Sequence, residues 1–230
     1  MDYAHVIAVA HDIRHRSGEF ARLTATTLAA HGFDVLEFDG HRATPTLSFA
    51  VRHLDCVAGV VISASHNPPS DNGFKAYWSH GGQVLPPHDA GIVDCVARSA
   101  AIPELDYQQA VADGRITRLG PDIDQAHRQA VLNTRTTPSD DLELGPSDLP
   151  ALYTPLCGVG TVSVVPVLRE AGFTGIQVFS PQAEPNADFA NVPDQLPNPE
   201  RHEVFEPAIR AADQAGQVLV MASDPDADRL

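Results

Sequence analysis

The sequence predicts an α/β chain of two consecutive three-layer α/β/α domains with mixed, mainly parallel sheets. Two observations predict it. Short Val/Ile-rich runs alternate with stretches of helical period from the N-terminus to Ser65, an order that gives a mainly parallel sheet with helices on its faces. The same alternation restarts near Ala151, after a tract rich in Pro, Ser and Asp. The expected division is residues 1–135, a linker at 136–150, and residues 151–230; a chain of 230 residues has room for a core in each part.

His5 to Ala10 reads as a short strand, followed by the polar turn His11-Asp12-Ile13-Arg14-His15-Arg16-Ser17. Ser17 is expected to cap a helix in which Phe20, Leu23, Thr27 and Ala30 recur at three and four residues, closed by Gly32. Phe33 to Phe38 is the next strand. Thr44-Pro45-Thr46 opens a helix through Leu54, its proline in the first turn, where a missing N–H costs little. Cys56 to Ala64 has the length and Val/Ile content of a buried strand. It must stop at Ser65-His66-Asn67-Pro68-Pro69, because two prolines cannot continue a central strand. Ser65 therefore sits on a rigid turn beyond a strand's carboxyl end, where open α/β sheets bind ligands.

Ala76 to Leu85 is expected to be a hairpin turning at His80-Gly81-Gly82 and ended by Pro86-Pro87. Ala90 to Ala101 reads as a helix with Ile92, Val93 and Val96 inward. From Ile102 to Leu149 only one helix is legible, Ile123 to Asn133, and the tail from Thr136 to Pro150 has linker composition. In the second half, Leu152 to Leu156 is a strand and Gly158-Val159-Gly160 a turn. Ser163 to Glu170 is a helix with Pro166 in its first turn, closed by Gly172, and Gly175 to Phe179 is a strand. Ser180 to Glu200 carries five prolines and reads as a long functional or disordered loop. Glu203 to Ala215 is a helix and Gln217 to Ala222 a buried strand.

Thirty acidic against 15 basic residues, net charge -15, argue against nucleic acid or an anionic membrane as partner, and leave room for a dication. Three widely spaced cysteines, Cys56, Cys95 and Cys157, give neither a disulfide framework nor a zinc pattern, and reduced, cytoplasmic thiols are the simplest reading. No basic leader and no apolar run of membrane-spanning length is present.

Two stretches carry candidate chemistry. Among the 15 Lys and Arg residues Lys75 is the one lysine, the cation type that can lose its proton near neutral pH, which makes it a candidate general base; codon bias gives the same pattern. The chain finishes Ser223-Asp224-Pro225-Asp226-Ala227-Asp228-Arg229-Leu230. Three carboxylates at alternate positions after a strand repel one another unless a cation offsets them, and hard oxygen ligands favour magnesium. A solvated acidic turn is the competing reading. An EF-hand is disfavoured, since the required Gly and distal Glu do not follow. Arg229 is placed to balance such a site or to hold phosphate.

Ser65-His66-Asn67-Pro68 with Asp71-Asn72-Gly73-Phe74-Lys75 resembles the active-site serine loop of the α-D-phosphohexomutases, the phosphoglucomutase and phosphomannomutase superfamily. The continuation, Tyr77-Trp78, Gly81-Gly82-Gln83 and Pro87-His88-Asp89, looks most like its phosphoglucomutase/phosphopentomutase branch. Asp12-x-Arg14-x-x-Ser17 resembles a first-domain segment of that family, with a helix-capping turn as the alternative, and marks Arg14 as a candidate phosphate contact. Tyr153-Thr154-Pro155 with Gly158-Val159-Gly160 resembles the opening of the second domain, although Cys157 stands where that branch usually has His. Asn198-Pro199-Glu200 resembles the element before the metal loop.

The resemblance implies that Ser65 is carried as a phosphoserine, with Lys75 as general base and His66 beside it. Asp224, Asp226 and Asp228, together with the seryl phosphate on Ser65, would hold Mg2+, and Arg229 and Arg14 would contact substrate. The implied reaction moves a phosphoryl group within a sugar phosphate, glucose 1-phosphate to glucose 6-phosphate or ribose 1-phosphate to ribose 5-phosphate, through a sugar bisphosphate. On this reading the chain is the first domain without its opening segment and an incomplete second domain, with the C-terminal domains of the same enzyme missing. Little turnover is then expected of it alone. A non-catalytic, sugar-phosphate-binding remnant is the alternative function.

Overall fold

A computed structural model describes residues 5–134 and 149–230. The expected linker falls, for 136–148, outside the described residues.

The first sheet is built from β1 (Val6–His11), β2 (Asp34–Phe38), β3 (Ala58–Ile62), β4 (Phe74–Trp78) and β5 (Ile116–Leu119), in the order β4-β3-β1-β2-β5. All pairings are parallel except β3 with β4, because the serine loop, residues 63–73, returns the chain antiparallel alongside β3. Period-two alternation assigns the faces. Val9, Val35, Val60 and Ile62 pack against α1 (Ser17–Ala30) and α4 (Tyr107–Ala112), whereas Ala8, Ala10, Phe38 and Val61 pack against α2 (Thr44–His53) and α5 (Pro121–Asn133). This is the expected three-layer arrangement.

The second sheet has the order β7-β6-β8, all parallel, from β6 (Ala151–Thr154), β7 (Ile176–Val178) and β8 (Leu219–Ala222). Helix α6 (Gly160–Glu170) covers Ala151, Tyr153 and Ile176, and α7 (His202–Ala215) covers Leu152 and Phe179 from the other side. Between β7 and α7 the proline-rich segment is ordered around two short 3-10 turns, Ser180–Gln182 and Pro193–Gln195, and folds its Phe189 and Val192 into a core with Leu156 and Val204. The two sheet units meet through α5 and α6, where Arg128 pairs with Glu170 at 2.9 Å, and through their carboxyl-end loops.

Several sequence expectations are corrected. Ser17 does not cap α1: Arg16 occupies the cap position in the left-handed region, without a side-chain cap bond, and Ser17 is the first helical residue. Helix α3 (His88–Arg98) starts earlier than expected and has no buried residue, so Ile92, Val93 and Val96 face outward rather than into the core. Pro166 lies inside α6, which begins at Gly160 rather than Ser163. Helix α4 and β5 were not legible because each spans so few residues that periodicity has nothing to repeat.

Candidate active site

The order β4-β3-β1-β2 means that the chain leaves β1 for α1 on one face and leaves β2 for α2 on the other. The turn after β1 and the loop after β3 lie side by side at the carboxyl end of the sheet, on the crevice side where open α/β sheets bind ligands. The loop after β3 is closed by the Ser63 N–H donating to the Gly73 carbonyl at 3.0 Å. A Cβ on Gly73 would stand 2.5 Å from the Ser63 carbonyl oxygen, so this closure requires glycine. Asn72 donates to the His15 carbonyl and the Ser17 hydroxyl at 3.0 and 3.1 Å, which ties the loop to the turn after β1. Within it the Ser65 N–H donates to the Ser63 hydroxyl at 2.9 Å and Ser65 is held at φ 53°. A non-glycine residue in that region stores about 1–3 kcal/mol of backbone strain.

The acidic loop follows β8. Ser223 anchors its start against the buried Tyr153 hydroxyl at 2.6 Å. Gly158 admits the loop's backbone: a Cβ there would collide with Pro225 Cα. Asp224 Oδ1 accepts from the N–H groups of Asp228 and Arg229 at 3.1 and 3.2 Å, curling the loop so that one carboxylate oxygen from each of Asp224, Asp226 and Asp228 lies within 4.8 Å of the others.

The two loops meet. The Ser65 hydroxyl donates to Asp224 Oδ2 at 2.8 Å, and Lys75 Nζ, from β4, donates to Asp226 Oδ2 at 2.7 Å and lies 3.4 Å from Asp228 Oδ2. His66 Nδ1 is 3.4 Å from the Ser65 hydroxyl. Arg229 stands at the rim, bound to Glu200 at 3.0 Å. Thr44, at the N-terminus of α2, reads from sequence only as a helix start. Its hydroxyl donates to Asp226 Oδ2 at 2.6 Å and its N–H to the Asp226 carbonyl at 2.9 Å. Nothing in a Thr-Pro pair signals that role; it depends on how the two sheet units dock.

Arg14 is the residue whose expected role the structure corrects. Its side chain is fully enclosed, and its guanidinium donates to main-chain carbonyls of the serine loop instead of facing the crevice. It has no open donor edge to offer a substrate phosphate.

Burial and the neighbouring Asp226 and Asp228 raise the Asp224 carboxyl pKa, to about 8. Burial pulls Asp226 the same way, but the Lys75 ammonium and its hydrogen bond outweigh it and hold Asp226 below its ordinary value. Burial would lower the Lys75 pKa, yet Asp226 and Asp228 overcome it and the net direction is up. Lys75 is thus an ammonium ion here, standing as counter-charge to the carboxylates. Burial, then Arg229, lower the His66 pKa. Asp226 Oδ1 is buried and accepts no hydrogen bond, an arrangement costly for a carboxylate unless a cation faces it. Three hard carboxylates converging with one orphaned oxygen fit a divalent ion such as Mg2+.

Comparison with known proteins identifies the family. Residues 2–102 match the family model described as phosphoglucomutase/phosphomannomutase, alpha/beta/alpha domain I, and residues 136–230 match the model for domain II. A Schizosaccharomyces pombe protein named "Probable phosphoribomutase" is 37% identical over 97% of this chain and 38% of its own length. A Staphylococcus epidermidis phosphoglucomutase is 35% identical over 99% of this chain and 41% of its own. A solved structure from Thermus thermophilus, named for a phosphomannomutase, superposes with a TM-score of 0.77 at 26% identity, covering 97% of this chain and 47% of that one. The chain thus spans about two fifths of the length of these curated relatives. With both models together covering most of the sequence, the chain belongs to the phosphoglucomutase/phosphomannomutase family.

Proposed function

We propose that this chain supplies the phosphoryl-carrying serine and the metal-binding carboxylates of a phosphosugar mutase acting on glucose 1-phosphate/glucose 6-phosphate or ribose 1-phosphate/ribose 5-phosphate. One observation carries the reading: the Ser65 hydroxyl, on a strained turn, lies 2.8 Å from Asp224 of the three-carboxylate loop. An oxygen nucleophile beside a dication site is what phosphoryl transfer needs, since that chemistry depends on positioning and charge stabilisation.

In the proposed cycle phosphorylated Ser65 is the donor. The bond from Ser65 Oγ to phosphorus breaks as a substrate hydroxyl oxygen bonds to the same phosphorus, and the hydroxyl proton passes to Lys75, which serves as base only after its ammonium has been released from Asp226 and Asp228 and has given up its own proton. The resulting sugar bisphosphate reorients, and Ser65 Oγ takes the other phosphoryl group back. Mg2+ held by Asp224, Asp226 and Asp228 with the seryl phosphate would neutralise charge on the transferring group. His66 lies beside the reacting oxygen, and Arg229 at the rim is suited to a substrate phosphate. No helix among the described residues is long and apolar enough to cross a membrane. All three cysteines are free, in keeping with a cytoplasmic setting.

The test is chemical. The 230-residue chain is incubated with glucose 1,6-bisphosphate and Mg2+, and modified peptides are mapped by mass spectrometry. Phosphate on Ser65, absent from a Ser65→Ala variant, is the expected result; label elsewhere with Ser65 clean would remove the reading.

A further inference from the structure

A loop of two prolines that holds its serine in a left-handed conformation needs something to keep it there, and the sheet does not supply it. After β3 ends at Ile62, the stretch from Ser65 to Asp71 has no strand partner, yet four of its carbonyl oxygens converge on one side chain. Arg14 Nη2 donates to the carbonyls of Ser65 and Asn67 at 2.7 and 2.5 Å, and Nη1 to those of Pro68 and Asp71 at 2.7 and 3.1 Å. The guanidinium is itself fixed from behind. Asp12 Oδ2 lies 3.4 Å from Arg14 Nε, and Asp12 Oδ1 accepts from the Arg14 N–H and the Ser17 hydroxyl at 2.9 and 2.7 Å. Both side chains are fully buried. The remaining face is covered from the second sheet unit by the Phe189 ring, whose centroid is 5.1 Å from the guanidinium carbon and which is itself fully buried.

We infer that Arg14 is a positioning residue that fixes the Ser65 loop in its reactive form, and that Phe189 makes this hold depend on the docking of the second unit against the first. A planar fork with five donors can take four carbonyls arrayed around it; a lysine ammonium, with three donors at one point, cannot. Arg14 acts through the main chain of Ser65 and touches no reacting atom. The buried Asp12 carboxylate accounts for a cation at this depth, and the aromatic face desolvates the guanidinium without removing its charge. The inference rests on Ser65 being the phosphoryl carrier only for its consequence on rate; the hold on the loop stands apart from it.

The experiment uses the whole chain as wild type, Arg14→Lys, Arg14→Gln and Phe189→Leu. Hydrogen exchange followed by mass spectrometry reads the loop directly. In both Arg14 variants the amides across 65–71 are expected to exchange about tenfold faster, with those of β1 and α2 close to wild type. Phe189→Leu, which keeps the arginine, is expected to give a smaller rise of about threefold in the same peptides. Phosphorylation of Ser65 by glucose 1,6-bisphosphate should slow by about tenfold or more in the Arg14 variants at saturating bisphosphate, with half-saturation little changed, because alignment and not binding is lost. Unchanged exchange across 65–71 in the folded Arg14→Gln protein overturns the inference, as does full recovery in Arg14→Lys. If the Arg14 variants do not fold, Phe189→Leu decides, and wild-type exchange there counts against it. A wild-type chain that takes no phosphate on Ser65 refutes the proposed function, while the exchange data still decide the role of Arg14.

Discussion

The Thr44 hydroxyl, from the first sheet unit, donates to Asp226 Oδ2 of the second at 2.6 Å, and both groups are buried. A hydroxyl that orients a metal-ligating carboxylate commonly supports metal affinity or activity by about 10–100-fold. Thr44→Val keeps the shape and the main-chain contact but leaves the carboxylate one donor short. It is expected to weaken Mg2+ binding by about tenfold, with Thr44→Ser near wild type. Titration calorimetry on the three proteins measures this; equal affinities would mean that Asp226 is held without Thr44.

Lys75 makes the second prediction. With its ammonium 2.7 Å from the fully buried Asp226, it neutralises charge that a dication would otherwise take up. Removing one partner of a buried ion pair costs about 3–5 kcal/mol because the other charge is left uncompensated. Lys75→Met should therefore be destabilised in EDTA by an amount of that order, discounted because the lysine side chain is 16% exposed. It should also regain more stability on adding Mg2+ than wild type does. Melting temperatures with and without Mg2+ supply the comparison. A magnesium-induced rise equal to that of wild type would show that ion and lysine do not share the carboxylates.

What the sequence discloses follows the physics that acts locally. Strands β1 and β3 were legible because burial on both faces leaves a continuous apolar run, and the break at Pro68-Pro69 fixed where Ser65 must fall. The three aspartates were legible because charge repulsion at alternate positions needs an explanation within the loop itself. Arg14 is marked in the sequence as a phosphate contact, but its hold on the serine loop, like the role of Thr44, is not legible there, since an arginine in a turn and a threonine at a helix start have ordinary local uses, and only docked loops reveal the carbonyls and carboxylate they serve. The outward face of α3 failed for the opposite reason. Its i, i+1, i+4 spacing of Ile92, Val93 and Val96 marks an apolar stripe, but period says nothing of whether a partner covers it.

Ser65 gives a third prediction, from its φ of 53°. An L-residue in the left-handed region costs about 1–2 kcal/mol that glycine does not. Glycine gives back part of that gain as unfolded-state entropy, about 0.5–1 kcal/mol. Ser65→Gly is thus expected to be more stable than Ser65→Ala by about 1 kcal/mol in denaturant unfolding, while neither takes up phosphate. If alanine proves the more stable, the turn carries no strain for glycine to relieve.

The last prediction concerns pH and sets Asp224 against its own unfolded state. Its ordinary value is 3.8, and burial with Asp226 and Asp228 raises the folded value to about 8. Between those values the unfolded chain has lost this proton and the folded chain keeps it, so the folded state binds more protons and stability falls as pH rises. Asp226 is shifted the other way, below 3.8, so its contribution is complete at the lower end of this window and does not oppose the fall. His41, His66 and His127, lowered chiefly by burial, do oppose it, since each favours folding as pH rises through the ordinary histidine value of 6.5. Comparison with Asp224→Asn cancels the histidines, which both proteins share. In EDTA, wild type should lose stability relative to Asp224→Asn as pH is raised from about 5 to 8. Adding Mg2+ should abolish that relative loss, because a dication replaces the proton, and calorimetry at pH 7 in buffers of different ionisation enthalpy should record proton release on binding. Parallel stability curves for the two proteins in EDTA, with no proton released by Mg2+, would mean that Asp224 is already ionised in the folded chain and that Lys75 alone balances the loop.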